Sequence, residues 1–189
     1  MIRKLELTLA VLKPDILSKR YVKEEIKKII LKNNFYFIKS KTFKPTRDSM
    51  EKFYSMHKEK DFYPRLIDYM ASAPISSYIL ARENAIVKWR ELIGPTKHDK
   101  AIYEAPTSIR GRYGISDTRN AVHGSDSLES ALTEIKFMFP EFHPEMWFKM
   151  EEPLFRKGQD ILYDSELEVH YLNKSSHYMS TSIIRPSNQ

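Results

Sequence analysis

The residues best equipped for chemistry lie in two neighbouring runs, Ser108-Ile109-Arg110-Gly111-Arg112-Tyr113-Gly114 and Arg119-Asn120-Ala121-Val122-His123-Gly124-Ser125-Asp126-Ser127. Arginine presents a planar fork that grips phosphate oxygens through two bonds at once. Histidine is the side chain best able to be neutral and nucleophilic near pH 7. A glycine after it lets a substrate approach the backbone closely. Anion clamp, nucleophile and open approach together suit phosphoryl transfer, which depends on positioning and charge stabilisation. Residue types alone leave the plainer reading open, with a structural histidine and solvated arginines.

The elements that must position these residues follow from periodicity. Leu5 to Leu12 alternates and then turns fully apolar, as a strand entering a sheet centre does, and Pro14 ends it. Val22, Ile26, Ile29 and Ile30 recur at helical spacing within Ser18–Asn33, with lysines opposite. Phe35–Phe43 and Pro74–Ala81 read as further strands; Thr46–His57, Tyr63–Ala71 and Asn84–Ile93 read as helices. Gly94–Arg119 shows no period and reads as a long functional loop. Arg110, placed in that loop, is expected to contribute little to stability. Ala121-Val122-His123 is a short extended piece. A helix then starts, with Asp126 as cap and Glu129 completing a capping box. Glu166–Leu172 alternates like one more strand, and Asn173–Gln189 reads as a polar, mobile tail. This order points to an α+β fold, with a ferredoxin-like βαββαβ antiparallel sheet covered by helices.

Composition bounds the alternatives. The chain has 189 residues, 41% hydrophobic, enough for one core and a tail. With no cysteine, disulfides, thiolate metal sites and cysteine nucleophiles are excluded. No apolar run approaches the roughly 20 residues needed to cross a bilayer, so no membrane partner is expected. The N-terminus lacks a secretion signal, which suits a cytoplasmic or mitochondrial protein. Lys and Arg exceed Asp and Glu by 31 to 25, a surplus that suits anionic partners. Nucleic acid is not expected among them, because the aromatic-rich strand motifs of RNA-binding sheets are absent.

Asn120-Ala121-Val122-His123-Gly124-Ser125-Asp126-Ser127 resembles the signature of nucleoside diphosphate kinases, which ends N-x-x-H-G-S-D. The resemblance runs from Leu9-Ala10-Val11-Leu12-Lys13-Pro14-Asp15 to about Pro153. In the expected order between them come Phe53-Tyr54, Phe62-Tyr63-Pro64, Trp89-Arg90, Gly94-Pro95-Thr96 and Ile109-Arg110-Gly111. The details are most like a divergent branch of that family. A domain over residues 1–153 is therefore expected, with residues 154–189 as a C-terminal extension.

The resemblance implies a kinase that moves the γ-phosphate of a nucleoside triphosphate to a diphosphate by a ping-pong cycle through phosphorylated His123. It implies that Glu134 and Ser125 orient the imidazole. Lys13, Tyr54, Arg90, Thr96, Arg110 and Asn120 match positions that hold phosphates and ribose hydroxyls, and Phe62 the ring on which the base stacks. Stacking alone would accept purines and pyrimidines alike. Mg²⁺ is implied as a passenger on the nucleotide phosphates, with no protein metal site. His57, His98, His143, His170 and His177 have no comparable neighbourhood and read as structural or surface residues. A homo-oligomer is implied too, a hexamer in common members. Pro95, extra residues between Thr96 and Arg110, Asp117-Thr118 and the long extension depart from those members and run against that assembly. They leave an alternative, a weakly active nucleotide-binding member that acts through a protein partner.

Overall fold

The computed structural model describes residues 3–173, so the expected tail, Asn173 apart, lies outside the described residues. Strand β1 (Glu6–Leu12) is buried on both sides: Leu7, Leu9 and Val11 enter one apolar cluster, Ala10 and Leu12 the other. That is the alternation of a central strand with a core on each face. It pairs antiparallel with β3 (Ile75–Arg82) and with the three-residue β4 (Val122–Gly124), and β3 pairs antiparallel with β2 (Tyr36–Phe43). The strand order β2-β3-β1-β4 is that of a ferredoxin-like sheet.

Helices cover both faces. On one, α2 (Arg20–Lys32) contributes Val22, Ile26 and Ile30, and α5 (Ala85–Ile93) contributes Trp89 and Ile93. On the other, α3 (Arg47–Phe53), α4 (Tyr63–Ser72) and α8 (Leu128–Met138) contribute Met50, Ile67, Met70 and Ile135. A four-residue turn of helix, α1 (Pro14–Leu17), precedes α2, which begins at Arg20 rather than Ser18. Among the described residues no helix is long and apolar enough to cross a membrane.

Three expectations need correction. The aperiodic stretch after Gly94 contains two helices, α6 (His98–Glu104) and α7 (Ile109–Tyr113). At seven and five residues they are too short to show a repeat. Helix α8 is capped by Ser127, not Asp126: the Ser127 hydroxyl accepts the Ser130 N–H at 3.1 Å, so the Asp126–Glu129 box does not form. The last strand, β6 (Val169–Leu172), is shorter than expected and forms a hairpin with β5 (Ile161–Asp164).

That hairpin and the preceding helices α9 (Pro144–Met150) and α10 (Glu152–Lys157) pack on the domain. Glu168 takes Lys23 at 2.8 Å, Lys27 at 2.9 Å and the Tyr78 hydroxyl at 2.7 Å. His170 Nδ1 accepts the backbone N–H of Phe37 at 2.8 Å, on edge strand β2 where its register with β3 shifts.

Candidate active site

Backbone geometry delivers His123. Ala121 adopts a left-handed conformation, φ 69°, unusual for a residue with a Cβ. Its carbonyl accepts the Lys13 N–H at 2.9 Å, which joins the end of β1 to the start of β4. His123 then pairs in register with Val11. Its carbonyl accepts the Trp89 indole N–H at 3.2 Å.

Behind the imidazole runs a chain of hydrogen bonds. The Leu9 N–H donates to Ser125 Oγ at 3.2 Å, and Ser125 donates to Glu134 Oε2 at 2.6 Å. The same oxygen lies 3.0 Å from His123 Nε2. An ionised carboxylate only accepts, so Nε2 carries the proton and Nδ1 keeps its lone pair. Ser130 and Glu134, four residues apart on α8, turn the same helix face to the site.

In front of the imidazole opens a cavity of about 570 Å³. It is lined by Lys13, Tyr54, Phe62, Arg90, Thr96, Arg110, Asn120, His123 and Glu134, so every expected site residue faces it except Ser125, which is buried behind.

Arg110, expected in a loop, lies in α7 and is more deeply built in than that expectation suggested. At 8% exposed, it donates from Nη1 to the Gly94 carbonyl (2.8 Å) and Thr96 Oγ1 (3.2 Å), and from Nη2 to the Val122 carbonyl (3.0 Å). Its five N–H donors are thus reduced to two, Nε–H and one on Nη2. These adjacent donors form a fork, and Nε is buried without a partner. Burial and then the nearby charge of Arg90 push the guanidinium down to about 10. Gly94, φ 77°, turns the chain that presents its carbonyl and Thr96.

Lys13 is buried, donating to Asn120 Oδ1 at 2.7 Å and the Thr118 carbonyl at 3.2 Å. Burial, then repulsion from Arg110, pushes its ammonium down to about 7 against the opposing charge of Asp15. Asn120 also donates to the Thr96 carbonyl at 3.2 Å, which braces the two pocket walls. Tyr54 stands edge-on to His123, ring centroids 6.2 Å apart, with its hydroxyl buried and unpartnered. Burial, then the charge of Glu134, raises that hydroxyl's pKa and keeps it a donor.

Two sequence readings are amended here. Gly124 lines the cavity and has a second reason to lack a side chain: a Cβ there would lie 2.6 Å from the Trp89 ring, so the glycine also makes room for tryptophan. His57, read as structural or surface, lines the cavity beside Phe62 and Tyr54. Burial and then the nearness of His123 lower its pKa. Arg65 and Asp117 also line the cavity and were not singled out. Arg65 directly follows the Phe62-Tyr63-Pro64 match and Asp117 lies in a noted departure, so both stood next to legible positions.

The model of the family described as nucleoside diphosphate kinase matches residues 6–143. The chain belongs to the nucleoside diphosphate kinase family. It is 44% identical over 171 residues to nucleoside diphosphate kinase 6 of Xenopus tropicalis, covering 90% of this chain and 95% of that one. To nucleoside diphosphate kinase 6 of Homo sapiens it is 43% identical over 168 residues, covering 89% and 90%. Among solved structures, the Aquifex aeolicus nucleoside diphosphate kinase in an orthorhombic form superposes with TM-score 0.68 at 37% identity, over 71% of this chain and 95% of that one.

Proposed function

We propose that this chain is an active nucleoside diphosphate kinase that works through a phosphohistidine at His123 Nδ1. The observation that carries the reading is the hydrogen bond from His123 Nε2 to Glu134, which frees Nδ1 on a ring that lines a cation-walled cavity. The Nδ1 lone pair attacks the γ-phosphorus of a bound triphosphate, the bond from that phosphorus to the β,γ-bridging oxygen breaks, and the diphosphate leaves with that electron pair. Glu134 stabilises the imidazolium character that develops, with Ser125 holding the carboxylate in place. A second diphosphate then attacks with a terminal oxygen, the N–P bond breaks, and Nδ1 recovers its lone pair.

The two uncommitted donors of Arg110, together with Arg90 and Thr96, suit the charge on the transferring group. Lys13 and Asn120 suit the ribose hydroxyls and inner phosphates, and Phe62, 39% exposed at the start of α4, offers a stacking face. A Mg²⁺ ion carried on the nucleotide would supply neutralisation of phosphate charge alongside Lys13, Arg90 and Arg110. The residues present fit that role. Lys13, Arg90, Arg110 and Thr96 line the cavity and can take phosphate oxygens that the ion leaves free.

Incubation with γ-labelled ATP and Mg²⁺ tests the proposal. Acid-labile label should appear on the protein and pass to added nucleoside diphosphates; a protein that binds nucleotide but never takes label would refute it.

A further inference from the structure

Arg65 stands in the cavity without a part in the transfer scheme. It follows Phe62 by three residues at the start of α4, so the two side chains share a helix face, and both line the cavity. Its Nε donates to the Thr118 hydroxyl at 3.2 Å. Thr118 is buried, and its carbonyl receives Lys13, so the guanidinium is tethered to the loop that carries Asn120. Its two terminal amino groups have no hydrogen-bond or ion-pair partner among the described residues.

We infer that Arg65 reads the base: tethered beside the Phe62 ring, it favours guanine nucleotides over adenine nucleotides. Guanine offers O6 and N7 as adjacent acceptors, the pair an arginine fork bridges, whereas adenine puts an amino donor in place of O6. Arginine has donors only, so it gains nothing from that amino group. The inference rests on the nucleotide-pocket reading and amends the expectation of an indifferent base site, which came from Phe62 alone. Water reaches the exposed guanidinium, so the preference is modest, about fivefold to tenfold.

Calorimetric binding of Mg²⁺-complexed GDP, IDP and ADP to the full chain, its Arg65→Ala variant and its Arg65→Lys variant tests it without requiring turnover. IDP keeps O6 and N7 but lacks the exocyclic amino group that Asp61, on the same wall, could accept. GDP and IDP should bind about fivefold to tenfold tighter than ADP, and Arg65→Ala should bring the three together. Arg65→Lys should restore only part of the gap, because it lacks the fork. Equal affinities in the unaltered chain would overturn the inference. So would IDP tracking ADP, which would assign the reading to Asp61. A uniform loss for all three in Arg65→Ala would overturn it as well, by placing Arg65 on the ribose or phosphates. If none of the three binds the unaltered chain, the nucleotide-pocket reading fails and takes this inference with it.

Discussion

The ammonium of Lys13 lies 2.7 Å from the side-chain oxygen of Asn120, buried across the end of the sheet from the strand that bears His123. Burial, then repulsion from Arg110, pushes its pKa down to about 7. Phosphate charge should raise it again, so nucleotide binding should take up a proton. Calorimetry of ADP binding at pH 8, in buffers of different ionisation enthalpy, should show an uptake approaching one proton, absent in Lys13→Met. Affinity should fall by about tenfold per pH unit as pH rises above 7, until the bound-state pKa is reached. The stability of the free protein should move the other way. Between pH 7 and the ordinary lysine value of 10.5 the unfolded chain binds more protons, so folding gains from rising pH there. No buffer dependence at pH 8 would mean that Lys13 stays charged throughout.

His123 and Glu134 should separate chemistry from binding. His123→Ala should abolish phosphoenzyme while ADP affinity changes by less than about threefold, because the proposed function draws its affinity from the cations and Phe62. Glu134→Gln keeps a side-chain carbonyl that can accept from Nε2 but loses the charge. It should slow single-turnover phosphorylation by about tenfold to a hundredfold with ADP affinity unchanged. Equal loss of binding and label in a folded His123→Ala protein would show the histidine to be misassigned.

The fold's main elements were legible because their burial is periodic. Leu7, Leu9 and Val11 alternate with Ala10 and Leu12 in a strand that has a core on each side, and Val22, Ile26 and Ile30 mark one helix stripe. What escaped the sequence was short or non-local. Helix α7 has only five residues, so its apolar pair Ile109 and Tyr113 shows no repeat, and Arg110 and the Ser108 cap help to hold it; β5 has four residues. The motif exposed the strand that bears His123 but not its surroundings. His57 and Arg65 reach the cavity through the arrival of α4 and the loop before it, and Trp89 fills the space beside Gly124 from another element. Such contacts leave no mark in the residues next to them.

His170 should make the C-terminal hairpin acid-sensitive. Burial pushes its imidazole down to about 4, and Nδ1 must stay unprotonated to accept the Phe37 N–H. Below the ordinary histidine value of 6.5 the unfolded chain takes the proton first, so stability falls as pH drops from 6.5 towards 4. Glu168 adds a separate loss at lower pH. Burial pushes its carboxyl up, but hydrogen bonds from Lys23, Lys27 and Tyr78 outweigh it and hold it below 4.5; its contribution is present above 4.5 and lost as pH falls through the depressed value. His170→Asn keeps an acceptor for Phe37 without a titrating group. Its melting temperature should therefore vary less between pH 6.5 and 4 than that of the unaltered chain. Parallel curves would mean that His170 titrates freely.

Gly124→Ala should act through Trp89. The new Cβ would lie 2.6 Å from Cδ1 and 2.7 Å from Nε1 of that ring, which is fully buried and has little room to retreat. Overpacking of this kind costs about 1–3 kcal/mol. Because the indole holds the His123 carbonyl, phosphorylation should fall as well, even at temperatures where the variant is folded. Unchanged stability in chemical denaturation would show that the ring moves freely.

Arg110 should fail in both stability and catalysis, and the two losses can be separated. The side chain braces Gly94, Thr96 and Val122 from a buried position, so Arg110→Ala leaves two carbonyls without their donor. That should cost about 2–4 kcal/mol, against the small effect expected of a loop residue. On the proposed function the remaining Nε–H and Nη2 donors serve the phosphate, and their loss should lower the single-turnover rate of His123 phosphorylation by about tenfold to a hundredfold. Arg110→Lys keeps one charge and three donors but no fork. It should recover more of the melting temperature than of the rate, because an ammonium can still reach a carbonyl while one charge point replaces a bidentate grip. Both variants should be assayed well below their melting temperatures, with the folded fraction checked by circular dichroism. If Arg110→Ala melts early yet phosphorylates at the unaltered rate when folded, the arginine is a brace alone and the clamp belongs to Arg90 and Thr96.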